Sequence, residues 1–295
     1  MRTLVFVHGR AQEHRDATAL KGQWVDALGE GLKSEGLKLP IPETAIRFPY
    51  YGQTLFDTVS GLPADQVARV IVRGDGADQQ EDLFLRQVLT EVIQKAPVTD
   101  EQIAAVGGEA VIERGPLNWK WIQAGLEAID RYVPGASGAS IALTTKDVYQ
   151  YMKNPGIRDL IETGVRDALA PGEETVVVAH SLGTVVAYNL LHREAEAQGW
   201  RVPLLVTLGS PLGVTALRQW LAPIRYPGGV SEWFNAYDPD DIVALYPLDA
   251  EHFDVTPAIE NWGGVDNGTS NQHGIGGYLS DSQVARRIHD ALSGG

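Results

Sequence analysis

Cysteine is absent from the chain, which excludes disulfides, thiolate-bound zinc and a cysteine nucleophile. Long apolar runs are absent as well: no stretch approaches the roughly 18 residues of a membrane span. The first apolar run, Leu4–Val7, stops at His8, short of the roughly 7–15 residues of a signal-peptide core. Positive charge is scarce, with 24 Lys+Arg against 38 Asp+Glu and a net charge of −14. A nucleic-acid binder needs a basic footprint, and an anionic membrane surface attracts basic segments. The expectation is therefore a cytoplasmic protein with no nucleic-acid partner and no membrane span, unless a leader was removed.

What is present is an ordinary globular composition: 295 residues, 44% hydrophobic and 21% charged. That length suits one large domain or two small ones. Thirty-two glycines exceed the usual share of about 7%, so tight turns are numerous, and their places matter.

Leu4–Val7 reads as a buried strand entering a turn at His8-Gly9. A helical spacing follows at Trp24, Leu28 and Leu32, ended near Gly36. Thr44–Phe48 is a second short strand, halted by Pro49. Thr175–Ala179 (TVVVA) is apolar throughout, as expected of a parallel strand covered on both faces. Leu182–Gln198 then forms a helix stopped by Gly199. Pro203–Leu208, Trp233–Tyr237 and His252–Val255 are further strand candidates. Val284, Ile288 and Leu292 mark a last helix, capped by Ser280 or Asp281. Alternating strands and helices indicate a parallel α/β sheet.

The stretch from Tyr51 to Asp147 lacks strand patterns. Helical spacings appear at Asp82–Gln94, Asp100–Glu113 and Asn118–Tyr132, and Gly135–Gly138 reads as a flexible hinge. The expected organisation is a single domain over 1–295, its core formed by 1–50 and 145–295. Residues 51–147 form a helical insertion.

The chemistry concentrates at Ala179-His180-Ser181-Leu182-Gly183. A serine forced onto a sharp strand-to-helix turn needs small residues two places before and after it, here Ala179 and Gly183. Such a serine then requires a base, an acid that holds the base, and donors for an oxyanion. Downstream, Asn235–Val243 carries Asp238, Asp240 and Asp241, and the glycine-rich loop Asn271–Tyr278 carries His273. Asp238 stands second to Asp241 because Asp-Pro favours a turn; His252 competes with His273 but sits in or beside a strand candidate. The N–H of Leu182, at a helix start, is one donor for an oxyanion. The second is expected from the loop after the first strand, at Arg10 behind Gly9.

These segments, VHGR, VVVAHSLG, LGSPL, DPDDIVAL and HGIGGYL, resemble those of the α/β-hydrolases, specifically compact serine esterases and lipases with an A-x-S-x-G elbow. The resemblance covers 1–50 and 145–295. It implies the α/β-hydrolase fold, a mostly parallel sheet flanked by helices with a helical cap or lid over 51–147. In comparable lipases the acid precedes an Ile/Pro-Val pair, which Asp241-Ile242-Val243 matches. The implied activity is cleavage of carboxylic esters through Ser181, His273 and Asp241, with an acyl-enzyme and no metal or other cofactor. The substrate would be a small ester or lipid-like molecule. Amides, thioesters and phospholipids suit the same residues, and a non-catalytic binding module is the alternative from another class.

Other candidates have plainer readings. Ser181 could merely cap a helix. Ser210 precedes Pro211, which has no N–H to offer an oxyanion, so it reads as structural. His180 reads as a packed elbow residue and His8 as shaping the oxyanion loop; His14, His192 and His289 read as surface. Asp75, Asp78, Glu81 and Asp82 lack the spacing of a calcium loop. Gly274, Gly276 and Gly277 lack a dinucleotide fingerprint. Trp119, Trp121, Tyr132, Tyr149 and Tyr151 either pack helices onto the sheet or wall an apolar site.

Overall fold

In the computed structural model, which describes residues 2–9, 16–51, 78–268 and 271–294, each short apolar run ends where a polar or glycine residue follows. The strands are β1 (Thr3–Val7), β2 (Ile46–Arg47), β3 (Thr175–His180), β4 (Val202–Leu208), β5 (Val230–Ala236) and β6 (Glu260–Trp262). They form one sheet in the order β2-β1-β3-β4-β5-β6, every pair parallel. Parallel neighbours need long crossovers, and helices supply them. These are α1 (Ala17–Ser34), α2 (Gln79–Lys95), α3 (Asp100–Gly107), α4 (Glu109–Arg114), α5 (Trp119–Tyr132) and α6 (Gly138–Lys153). They continue with α7 (Pro155–Ala168), α8 (Leu182–Gln198), α9 (Thr215–Leu221), α10 (Ile275–Ser280) and α11 (Ser282–Ser293). Among the described residues no helix is long and apolar enough to cross a membrane.

Alternation along the strands divides the interior in two. Val5, Val7, Val177, Ala179 and Leu205 face one core, shared with α2, α5, α6 and α8. Leu4, Phe6, Val176, Val178, Leu204 and Val206 face the other, with Trp24 and Leu28 of α1 and Val284 and Ile288 of α11. This is why Val176–Ala179 is apolar at every position: all of it is buried, and the one hydroxyl before it, on Thr175, pairs with that of Thr3. α1 starts where Asp16 accepts from the Ala19 N–H, and α11 where Asp281 accepts from Val284 N–H. Asp281, and not Ser280, is the cap.

The register aligns the strand ends. Val7 lies opposite Ala179, His180 opposite Leu208, and Leu208 opposite Ala236. All strands point the same way, so the loops leaving β1, β3, β4 and β5 emerge on one edge. From β1 the chain moves to β2 on one side, while β3 lies on the other. Open α/β sheets bind ligands at such a reversal.

Several expectations are corrected. His252–Val255 is not a strand: the Asp249 carboxylate accepts from the N–H groups of Glu251 and His252 and winds the segment into a turn. The last strand is Glu260–Trp262. The helix expected over Asp100–Glu113 breaks at Gly108, which takes φ 85 and so separates α3 from α4. Gly135–Gly138 is no hinge. Ser137 caps α6, the Gly138 N–H donates to Asp130, and a Cβ on Gly138 would lie 2.8 Å from the Leu126 carbonyl oxygen. α7, capped by Asn154 with Pro155 in its first turn, has no counterpart in the sequence reading. The glycine-rich loop expected through Tyr278 winds into α10 from Ile275. The second strand shrinks to Ile46–Arg47 behind a single tight helical turn, Glu43–Ala45.

Candidate active site

Ser181 is the one residue between β3 and α8, and it makes the turn with φ 55 and ψ −128. Its N–H donates to the Leu208 carbonyl at 3.0 Å, and its carbonyl accepts from the N–H and hydroxyl of Thr184. The side chain makes no capping bond to α8. Instead Oγ lies 2.8 Å from His273 Nε2. The capping reading of Ser181 therefore does not describe this geometry.

Glycine is required where the turn meets β1. A Cβ on Gly183 would lie 2.2 Å from the Val7 carbonyl oxygen and 2.6 Å from that of His8. One on Gly9 would stand 2.8 Å from Ser181 Cβ. The loop after β1 thus passes directly beside the serine. Ala179, fully buried opposite Val7, has space for its one methyl. Leu182 opens α8, and a first-turn N–H has no acceptor within its own helix. Arg10 and His14 lie outside the described residues, as does Asp75.

His273 Nδ1 lies 2.8 Å from Asp241 Oδ2. Asp241 follows β5 and is 3% exposed. Its Oδ1 accepts from the Val243 N–H, and Oδ2 accepts also from the Tyr278 hydroxyl at 2.6 Å. Burial disfavours the Asp241 carboxylate, but the His273 ring and these hydrogen bonds outweigh it and hold the carboxyl below its ordinary range. An ionised Asp241 can only accept, so Nδ1 of His273 carries its proton and Nε2 is left to accept from Ser181. The chain of contacts can draw a proton off the serine and keep the resulting imidazolium in place.

Two further histidines stay neutral. His180 Nε2 donates to the His273 carbonyl at 2.9 Å; burial, with His273 close by, lowers its pKa to about 3. His8 Nδ1 donates to the Gly9 carbonyl while its Nε2 accepts from the Tyr51 N–H, and burial lowers its pKa to about 4. Both are braces. His8 stacks between Phe48 and Tyr51 under the loop that carries Gly9.

The competing candidates lie elsewhere. Asp238 accepts from the N–H groups of Asp240 and Asn267 and so ties two loops together. Asp240 is exposed. His252 pairs with Asp249 and stacks on Tyr246, ring centres 4.3 Å apart. Ser210 accepts from the Leu212 N–H and lies 2.9 Å from the Thr184 hydroxyl. His192 is half-buried and stacked on Tyr188, whereas a surface position was expected. Asp78 caps α2, Glu81 lies 3.6 Å from Lys146 and Asp82 holds Arg86 and the Trp119 indole.

Sequence reasoning overlooked three residues that hold the arrangement. Tyr278 bridges Asp241 and the Asp238 N–H. Asn267 donates to the carbonyls of Gln272 and Gly274, on either side of His273. A Cβ on Gly277 would lie 2.0 Å from Asn267 Oδ1, so that glycine makes room for this clamp. Gly209, at φ 55, turns the chain away from β4 where a Cβ would stand 3.2 Å from both Asp241 and His273. The signal for Gly209 was a glycine ending an apolar strand; Tyr278 and Asn267 had none, because their partners are distant in the chain.

A cleft of about 590 Å³ opens over Ser181 and His273. Ala136, Ser140, Ile141 and Thr144, at the α5–α6 junction and on α6, form one wall, and Leu20 of α1 and Ile275 stand on the other. None of Trp119, Trp121, Tyr132, Tyr149 or Tyr151 lines it. Trp121 and Tyr149 are buried in the core, and Tyr151 donates to Glu162. These aromatics pack helices.

Fold and site together define an α/β protein with a parallel sheet flanked by helices and a Ser–His–Asp chain of hydrogen bonds at its strand ends. Comparison with protein-family models, curated proteins and solved structures returns no match to this chain.

Proposed function

We propose that this protein is a serine hydrolase of the α/β-hydrolase type, acting on carboxylic esters. The observation that carries the reading is the unbroken run from Ser181 Oγ through His273 to Asp241, both contacts at 2.8 Å, with the serine alone on its turn. Ser181 attacks the ester carbonyl while His273 Nε2 takes its proton. Asp241 keeps the imidazole in the required tautomer and stabilises its charge. The developing oxyanion is met by the Leu182 N–H and the positive end of α8. His273 returns the proton to the leaving alcohol; water then repeats the sequence on the acyl-enzyme. Helices α2–α7 take the place of a cap, and their α5–α6 junction walls the cleft.

The test is labelling with a fluorophosphonate probe, beside hydrolysis of p-nitrophenyl acetate. Wild type is expected to label and turn over, and Ser181→Ala to do neither. A folded wild type that ignores both reagents would favour a binding module, and labelling of Ser181→Ala would place the nucleophile elsewhere.

A further inference from the structure

Beside the cleft lies a second, much smaller space of about 30 Å³. Ile141, Thr144, Ile242 and Val243 line both spaces, so the two adjoin at the residues that follow Asp241. Its far walls are Phe84 and Val88 of α2, Val148 of α6 and Leu217 of α9. Thr145 donates its hydroxyl to the Ile141 carbonyl at 2.8 Å, which leaves its methyl for the slot. Phe84 in turn packs against Tyr149 and Trp220, ring centres 5.5 and 5.7 Å away. Those two rings pack against each other, so the end wall is braced. The lining offers a water few polar partners, whereas an apolar group would meet mostly carbon.

We infer that this slot receives the acyl chain of the substrate and limits it to a short one; the inference rests on the hydrolase reading above. Position decides which half of the ester enters. His273 must reach the leaving oxygen, so the alcohol lies on the side formed by Asn271–Ile275, which line the open cleft. No residue of that loop lines the slot. The carbonyl substituent, held away from His273, faces the slot instead. Size limits the length: about 30 Å³ is room for only two or three water-sized groups at roughly 10–15 Å³ each, so the acyl chain it admits is a short one. The substrate class is thus an ester of a propanoyl- or butanoyl-sized acid, with a larger alcohol accommodated in the open cleft.

The experiment is a series of p-nitrophenyl esters from acetate to octanoate, with fluorophosphonate labelling of Ser181 measured in parallel. Wild type should peak at propanoate or butanoate and fall at hexanoate. Thr144→Phe fills the slot's mouth and should lower kcat/KM for butanoate relative to acetate by about tenfold or more, since one methylene in a tight pocket is worth about 10- to 200-fold. Val88→Ala, which only removes carbon, should move the peak one or two carbons longer and serves if Thr144→Phe does not fold. Labelling should persist in Val88→Ala, whose side chain lines the slot and not the cleft. A wild-type optimum at octanoate, or chain-length ratios unchanged within twofold in the variants while Ser181 still labels, would overturn the slot alone. Loss of labelling in wild type would overturn the hydrolase reading and the slot's role with it.

Discussion

The strand-end corner and the helical stretch α2–α7 are built by different means. In the corner, backbone touches backbone: Gly183 lies against the carbonyls of Val7 and His8, and Gly9 against Ser181. In the helical stretch, side chains touch side chains: Ile93 fills the space left by Gly125, and Phe84 leans on Tyr149 and Trp220. Side chains can be exchanged for others of similar volume at modest cost. Main-chain contacts have no such latitude. The proposed reaction geometry thus lies in the part held by main chain, and the proposed selectivity in the part held by side chains.

The largest expected effect lies in the corner. Asp241→Asn keeps the shape but reverses the tautomer of His273, and kcat should fall about 10⁴-fold with little change in melting temperature. Esterase kinetics and a thermal melt check this; near-normal turnover would detach Asp241 from the reaction. Next comes a paired test of the two construction modes. Gly183→Ala must displace β1 or α8 and should cost about 3 kcal/mol or more, whereas Ile93→Val should cost about 0.5–1.5 kcal/mol and leave kcat/KM unchanged. Equal losses in denaturant unfolding would erase the distinction.

Acid should also act on the corner first. His8 and His180 are held neutral there, with pKa values of about 4 and about 3 against 6.5 for an exposed ring. The unfolded chain gains protons below pH 6.5 that the folded chain refuses, so stability should fall as pH drops from 6.5 toward 4. The stretch Gln79–Ala168 contains no histidine. Amide exchange at pH 5 against pH 7.5 should therefore show β3 and α8 opening before α2 and α5, and uniform loosening would count against it. The smallest effect is expected from Tyr278→Phe. It removes one donor from Asp241. kcat/KM should fall about tenfold or less, through kcat and with KM unchanged; an unaltered kcat would make Tyr278 merely structural.

The same contrast explains what could be read from the sequence. Apolar runs and their stops revealed β1, β3 and β4, since a strand buried on both faces has no polar position to blur it. Ser181, Asp241 and His273 are legible as candidates, because a serine between small residues at a strand end, and polar loops after later strands, leave a local trace. Their meeting within 2.8 Å was not local and came only with the fold. β6 escaped notice: it has three residues, and only one edge of the sheet holds it. His252–Val255 was mistaken for it because Phe253 and Val255 are apolar and spaced by two. They are buried in the core from a turn. The break at Gly108 was hidden inside an otherwise regular helical spacing. Whether the described helices serve as a cap is a question of function that no spacing answers.

The turn at Ser181 carries a consequence for evolution and engineering. A residue with a side chain at φ 55 and ψ −128 sits in a region of backbone space that costs on the order of 1–3 kcal/mol. Glycine would occupy it without that strain. Ser181→Gly should accordingly yield a chain that melts above wild type and does nothing. Durability alone would favour that inert variant; serine at this position accepts the strain in exchange for the hydroxyl that the proposed reaction requires.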